Sequence, residues 1–390
     1  MGKIKIHIFF FLITRSMFGQ WQQATGTAGL NMQSLLTNGI YNFAGGEKGA
    51  YLSIDGGATY SLSNNGNDAV GPTRGFTKSN NYVFTCTSKG VFRSSDNGKT
   101  WVSKSSGISN LLSSGIISAG SILYYVSPTG VFKSSDNAEN WSQAGLSGVD
   151  VRSISAMKDT LYVGTLSGIY KSVNGGINWI SINNGLGSST SFRAIECKGN
   201  TVFAAGPVGT GVYRSTDFGA NWTLLGGGLA SGSYRGFASN SQLIVAGSFG
   251  GGVFYSTDDG NKWSTINSGL TDLTIFDLEL NDSYILAATN TQGIFRFPIS
   301  NLNLSTSNAN LEYENNITIF PNPTSDLIHL RTDNILIGLK YTVFDHLGKS
   351  VLMGKIMSEN TQIDINNLSV GIYFLNIGEH INRTFKFIKY

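Results

Sequence analysis

The stretch Ser94-Ser95-Asp96-Asn97-Gly98-Lys99-Thr100-Trp101 decides how the rest of the chain is read. Its pattern, Ser-x-Asp-x-Gly-x-Thr-Trp, returns intact or worn at Ser134 to Trp141, Ser172 to Trp179, Ser215 to Trp222 and Ser256 to Trp263. A weaker first copy runs from Ser53 to Tyr60 and keeps Asp55 and Gly57. The closing aromatics Tyr60, Trp101, Trp141, Trp179, Trp222 and Trp263 lie 41, 40, 38, 43 and 41 residues apart. A fixed period near this length marks a repeat architecture, each copy being one supersecondary module.

Each octet follows a short alternating run, as in Gly90-Val91-Phe92-Arg93-Ser94, Gly130-Val131-Phe132-Lys133-Ser134 and Gly168-Ile169-Tyr170-Lys171-Ser172. The run returns at Gly211 to Ser215 and Gly252 to Ser256. Period-two alternation predicts a strand with one buried face. The Asp-x-Gly that follows predicts a turn, the carboxylate capping N–H groups ahead of it and glycine taking a positive φ. The Trp brings a large apolar surface with one N–H to satisfy. The octet therefore reads as strand, turn and strand with a packing peg. On this reading Asp55, Asp96, Asp136, Asn174, Asp217 and Asp258 are structural, and so are Trp101, Trp141, Trp179, Trp222 and Trp263. A calcium loop at Asp258-Asp259-Gly260 is the alternative, but it has too few oxygen ligands and no distal bidentate Glu. No metal or cofactor is expected.

These boxes resemble those of the Asp-box, or BNR-repeat, β-propellers, a group that includes sialidases, sortilin-type receptors, xyloglucan-degrading enzymes and photosystem assembly factors related to plastid Ycf48. The resemblance implies that each box joins the third and fourth strands of a blade on the outer rim, away from the central pocket. It speaks to fold and hardly at all to activity.

The composition agrees with a sheet protein dense in turns: 49 glycines, 13% charged residues and no long segment of helical period. Residues 20–300 carry 17 basic and 16 acidic side chains, so the formal charge of +3 does not point to a nucleic-acid or anionic-membrane binder. All four histidines, His7, His329, His346 and His380, lie outside the repeats. That removes a Ser-His-Asp triad and imidazole-ligated metal from the repeat region. Cys86 and Cys197 fall in different repeats and read as small core residues rather than a disulfide.

At the N-terminus, Lys3 and Lys5 precede the apolar run Ile6 to Ile13, too short to span a bilayer. Residues 1–19 read as a secretory signal peptide. Trp21 to Leu30 looks like the sequence that follows a box, yet no box precedes it. Gly293-Ile294-Phe295-Arg296 is a strand that should lead into a box, and none follows. The two defects are complementary. Trp21 to Leu30 is expected to supply the outer strand of the last blade, closing the ring and removing its open edges. Gly-led strands at Gly49, Gly90, Gly130, Gly168, Gly211, Gly252 and Gly293 give an all-β, seven-bladed propeller over residues 20–300, with six blades as the alternative.

Residues 301–314 are polar and unrelated to the repeat, and they read as a linker. Residues 315–390 hold alternating runs split by turn residues, the pattern of a small β-sandwich. The elements Pro321-Asn322-Pro323, Asp345-His346-Leu347-Gly348, Leu368-Ser369-Val370-Gly371-Ile372-Tyr373-Phe374-Leu375 and a basic, apolar end are similar to the type A C-terminal sorting domain of the type IX secretion system of Bacteroidota. That resemblance implies passage through the periplasm and outer membrane, with the secretion machinery and its sortase as partners. The chain would then be attached at the cell surface or released. No transmembrane segment is expected in the mature chain, nor any nucleic-acid partner, and the protein is expected to be a monomer.

One feature does not follow from the boxes. Arg74, Arg152, Arg193 and Arg235 stand 16, 16, 18 and 17 residues before the next Gly-led strand, with Gly115 and Phe276 read at this place in the third and seventh blades. If first strands line the channel, four guanidinium groups share one mouth, where they could bind carboxylate or phosphate. Sialidases place an arginine of their carboxylate-binding triad at a comparable strand, in Arg-Ile-Pro, but the Pro is missing here. The alternative is that the arginines tie blades together through carbonyls and acids such as Asp150, Glu196, Asp277 and Glu279. The repeats hold only four glutamates, Glu47, Glu139, Glu196 and Glu279, and no long loops to carry catalytic groups. No catalytic residue is assigned. The expected role is binding of a protein partner or anionic glycan, with a sialidase-like or polysaccharide-cleaving hydrolase and a structural assembly factor as alternatives.

Overall fold

The computed structural model describes residues 20–65, 72–207, 209–230, 232–302, 318–331, 340–345, 349–377 and 383–390. The expected signal peptide, nearly all of the linker, His346 and His380 lie outside them. The chain divides into two compact units, residues 1–303 and 304–390.

The first unit is a β-propeller of four-stranded antiparallel sheets, seven of them among the described residues. In the second sheet the strands Thr73–Ser79, Tyr82–Thr87, Gly90–Ser94 and Val102–Ser103 pair in chain order. The other first strands are Met32–Asn38, Gly115–Ala119, Val151–Met157, Ala194–Lys198, Tyr234–Ser239 and Ile275–Leu280. Each packs on the next, and the last packs on the first. The ring is closed at its ends by Gln22–Gln23, which pairs antiparallel with Ile294–Pro298 in the register Gln22 to Arg296 and Gln23 to Phe295. The Trp21 ring lies tilted against Phe297 with centres 5.5 Å apart, and its indole N–H donates to Ile266 O of the preceding sheet. Gln22–Gln23 thus supplies the fourth strand of the last sheet.

The box turns are closed by their own polar groups. Ser94 Oγ donates to Asp96 Oδ1 (2.7 Å) and accepts the Gly98 N–H (2.7 Å). Asp96 accepts the Thr100 N–H at Oδ1 (2.8 Å) and the Thr100 hydroxyl at Oδ2 (2.7 Å). Asn174 fills the same role with its amide oxygen, accepting from Ser172 Oγ and the Asn178 N–H. In the sixth sheet Asp258 Oδ1 is taken by Ser256 Oγ and the Lys262 N–H, which are the contacts a calcium loop would leave for the ion.

Two further kinds of contact tie neighbouring sheets over much of the ring. The indole N–H groups of Trp101, Trp141, Trp179 and Trp222 donate to Ser63, Lys104, Ala144 and Ile182 of the preceding repeat, at 2.7–2.8 Å. In the other direction, Arg93, Lys133, Lys171 and Arg214 of the Gly-led strands reach the carbonyls of Asn137, Gly175, Phe218 and Asp259 in the next box. All four acceptor residues have positive φ, between 53° and 66°. That left-handed conformation is uncommon for a side chain as bulky as Phe218. Many of the propeller's cations are therefore spent on structure.

The second unit is a small sandwich. One sheet joins Thr318–Phe320, Leu327–Arg331 and Asn360–Asp364. The other joins Ser350–Lys355, Lys340–Asp345, Gly371–Ile377 and Arg383–Lys389. Ile328, Leu330, Val343, Ile363, Leu375 and Phe387 form its core, and Lys389 is buried with its ammonium on the carbonyls of Ile365 and Asn366.

Candidate functional site at the channel mouth

The arginines owe their placement to a repeated irregularity. The pairing of first and second strands skips one residue at Arg74, Arg152 and Arg235, and also at Gln33 and Phe276. A β-bulge of this kind leaves its extra residue unpaired and re-aims its side chain. Arg193 stands at the same register, its N–H on Ala205 O just before Ala194–Lys198. The pairing of Gly115 with Val126 matches that of Gly75 with Cys86, so Ser114, and not Gly115, is the third sheet's counterpart of the arginines. The full set is Gln33, Arg74, Ser114, Arg152, Arg193, Arg235 and Phe276. Gln33 and Ser114 each stand 16 residues before a Gly-led strand, so the sequence spacing held the signal for both.

The next residue along each first strand is small, with one exception: Ser34, Gly75, Gly115, Ser153, Ala194 and Gly236, then Asp277. Neighbouring strands come close here. A Cβ on Gly236 would lie 2.8 Å from Asp277 Cα. Asp277 uses its size at the junction of last and first sheets, accepting the Leu35 N–H (2.8 Å) and its own strand's Leu278 N–H (2.9 Å). One position deeper lie Leu35, Phe76, Ile116, Ile154, Ile195, Phe237 and Leu278, all buried.

All four arginines line one cavity of about 640 Å³, together with Gln33, Ser113, Phe276, Asp277 and the apolar residues beneath them. Leu111, Leu112 and Phe249, all exposed, stand in turns and loops at the same end of the sheets. The Arg235 guanidinium lies 4.7 Å from the Phe249 ring centre and 5.2 Å from that of Phe276. Burial, and then the charges of Arg193 and Arg74, lower its proton affinity, so these cations stand near enough to repel.

Of the acids named for the blade-tying alternative, Asp150 alone forms an ion pair with one of these arginines among the described residues. Arg152 is ion-paired with Asp150, two residues away in its own repeat. The side chains of Arg74 and Arg193 have no hydrogen bond or ion pair among the described residues, and that of Arg235 has only its two rings. Glu139 pairs instead with Arg93 and Lys104, at a box. Among the described residues, twelve buried side-chain N or O atoms lack a hydrogen-bond partner, and eight of them belong to this mouth or its edge. They are Gln33 Oε1, Thr73 Oγ1, Ser113 Oγ, Asp150 Oδ1, Ser153 Oγ and the Nε atoms of Arg152, Arg193 and Arg235. Unsatisfied groups are rare enough in folded proteins that a cluster calls for a cause.

Further along the first strands stand Glu196 and Glu279. Burial raises Glu196 to about 7, with the Asp277 charge adding to it and a hydrogen bond from Ser239 (2.6 Å) opposing. Burial also raises Asp277 to about 7 against its two N–H donors. It raises Glu279 well above the usual range, helped by the charges of Asp277 and Glu196. Cys86 and Cys197 are free thiols, each raised to about 12 chiefly by burial. The described residues contain no group of three or more His, Cys, Asp or Glu placed to hold a metal ion.

Residues 318–389 match the secretion system C-terminal sorting domain family. No curated protein matches the chain. Among solved structures, the GH74 enzyme of Niastella koreensis shares 18% identity over 70% of this chain and 43% of its own, with a TM-score of 0.55. YCF48 bound to D1 peptide shares 12% over 72% of this chain and 96% of its own (TM-score 0.56). PorZ of Porphyromonas gingivalis, a surface component of the type IX secretion system, shares 13% over 91% of this chain and 59% of its own (TM-score 0.55). Identities this low speak for the fold alone, and the neighbours include both enzymes and non-enzymes. The chain is a propeller protein bearing a type IX sorting domain, exported to the cell surface or the extracellular space.

Proposed function

We propose that the propeller is a non-catalytic binding module whose channel mouth takes an anionic group presented by a protein partner or a glycan. The observation that carries this reading is the convergence of Arg74, Arg152, Arg193 and Arg235 on one cavity with most of their hydrogen-bonding capacity unspent. Guanidinium forks favour carboxylate and phosphate, and an enclosed site strengthens the attraction. YCF48, solved with a peptide bound, sets a precedent on this fold for a protein partner. Hydrolysis would need two placed carboxylates at the mouth. Asp277, the acid lining the cavity, is already committed to two N–H groups, and Asp150 is committed to Arg152. We further read residues 20–300 as a separately folded propeller, monomeric, and delivered by a tail that the secretion sortase removes.

The test presents the full chain with acidic and neutral oligosaccharides and acidic and neutral peptides, scoring binding and turnover together. Binding confined to the acidic members, weakening as salt rises, is the expected result. Turnover of any polysaccharide, or equal binding of neutral members, would reverse it.

A further inference from the structure

Resting on that anion site, we propose that the ligand group is a phosphomonoester: a tetrahedral phosphate close to doubly negative, held by Arg152, Arg193 and Arg235 with Arg74 facing it. Charge is the first constraint. Four guanidinium groups share the cavity, and Asp150 answers one of them. Asp277 offers little compensation, because burial raises its carboxyl to about 7 and leaves it partly protonated at neutral pH. A single carboxylate would leave most of the positive charge unanswered, whereas a phosphate ester brings about −1.5 to −2 at neutral pH.

Hydrogen-bond capacity is the second constraint, and it is independent of charge. Among the residues that line the cavity, the buried unpartnered donors are three arginine Nε atoms and the hydroxyls of Ser113 and Ser153. Of the unpartnered atoms at the mouth or its edge, only Gln33 Oε1 and Asp150 Oδ1 are acceptors with no proton to give. A site so rich in donors fits a group with three terminal accepting oxygens better than one with two. The Arg235 guanidinium lies against the Phe249 and Phe276 rings, and no ion pair among the described residues takes up its charge, which leaves N–H groups for an oxyanion.

The experiment titrates inorganic phosphate and glucose 6-phosphate into the full chain by calorimetry at pH 7.5, with acetate and succinate at matched ionic strength. At least one phosphate species should bind about tenfold or more tightly than either carboxylate. Equal binding of the two phosphates means that the free ion suffices, and tighter binding of the ester means that its sugar is read as well; either supports the proposal. Arg193→Ala should weaken phosphate about tenfold while its melting curve stays near that of the parent. Should that variant not fold, dose-dependent thermal stabilisation of the parent by phosphate, absent with acetate, carries the same information. Carboxylates binding as tightly as phosphate would overturn the phosphate assignment and leave the anion site standing. If no anion binds, both fall.

Discussion

At the box end of the second sheet, the Ser94 hydroxyl, both oxygens of Asp96 and the Trp101 indole all have partners. At the channel end of the same sheet, Arg74 has none among the described residues, and Thr73 Oγ1 is buried without one. The contrast extends around the ring. Where polar groups recur in order to hold a turn, they are satisfied within the repeat and copied nearly unchanged. Where they recur in order to meet something else, they are left open and vary from blade to blade, through glutamine, arginine, serine and phenylalanine. Recurrence alone does not separate structure from function; satisfaction does.

The contrast can be broken most forcefully at the box. Trp101→Ala removes a fully buried ring and its inter-sheet hydrogen bond, and should cost about 3–5 kcal/mol in denaturant unfolding. A loss below 1 kcal/mol would mean that the pegs do not hold the ring together. Ser94→Ala is smaller. It strands the Gly98 N–H in a buried turn, and about 1–3 kcal/mol is expected, whereas Ser114→Ala at the opposite end should stay within about 0.5 kcal/mol. Equal losses at the two positions would erase the distinction.

The smallest effect is in the pH dependence, and the two ends should differ in sign. Carboxyls in an unfolded chain titrate near pH 4, while Glu196 and Asp277 are raised to about 7 in the fold. Between those values the folded protein keeps protons that the unfolded chain releases, so their contribution to stability falls as pH rises toward 7 and is constant above it. Asp55, Asp136 and Asp217 at the boxes are lowered to about 2, chiefly by their hydrogen bonds although burial opposes at Asp55. Their contribution is present above pH 4 and is lost as the pH falls toward 2. Melting temperatures from pH 5 to 8 should therefore decline, with the raised Glu279 acting in the same direction, and Glu196→Gln should flatten the decline. A melting temperature that rises through this range would count against protonated channel acids.

The fold was legible because its determinants are local. A two-residue alternation, an Asp-x-Gly turn and a Trp at fixed spacing each act within a dozen residues, and the orphaned Trp21 and Phe295 segments could be matched by their missing halves. The arginine register was legible in part for the same reason, since the spacing to Gly90 or Gly168 is a strand-length constraint. It slipped by one residue at Ser114, where no charged side chain marked the bulge. Phe249 gave no signal, because it reaches Arg235 from a different turn of its sheet.

What the sequence determined by itself is the module, the borrowed strand and the export tail, since backbone periodicity and turn chemistry are written residue by residue. Only the tertiary structure decided which of the many cations are free. Arg93 and Arg74 lie 19 residues apart in one repeat and look alike in the chain. One reaches a neighbouring carbonyl and the other faces the channel, a difference set by how seven sheets close into a ring.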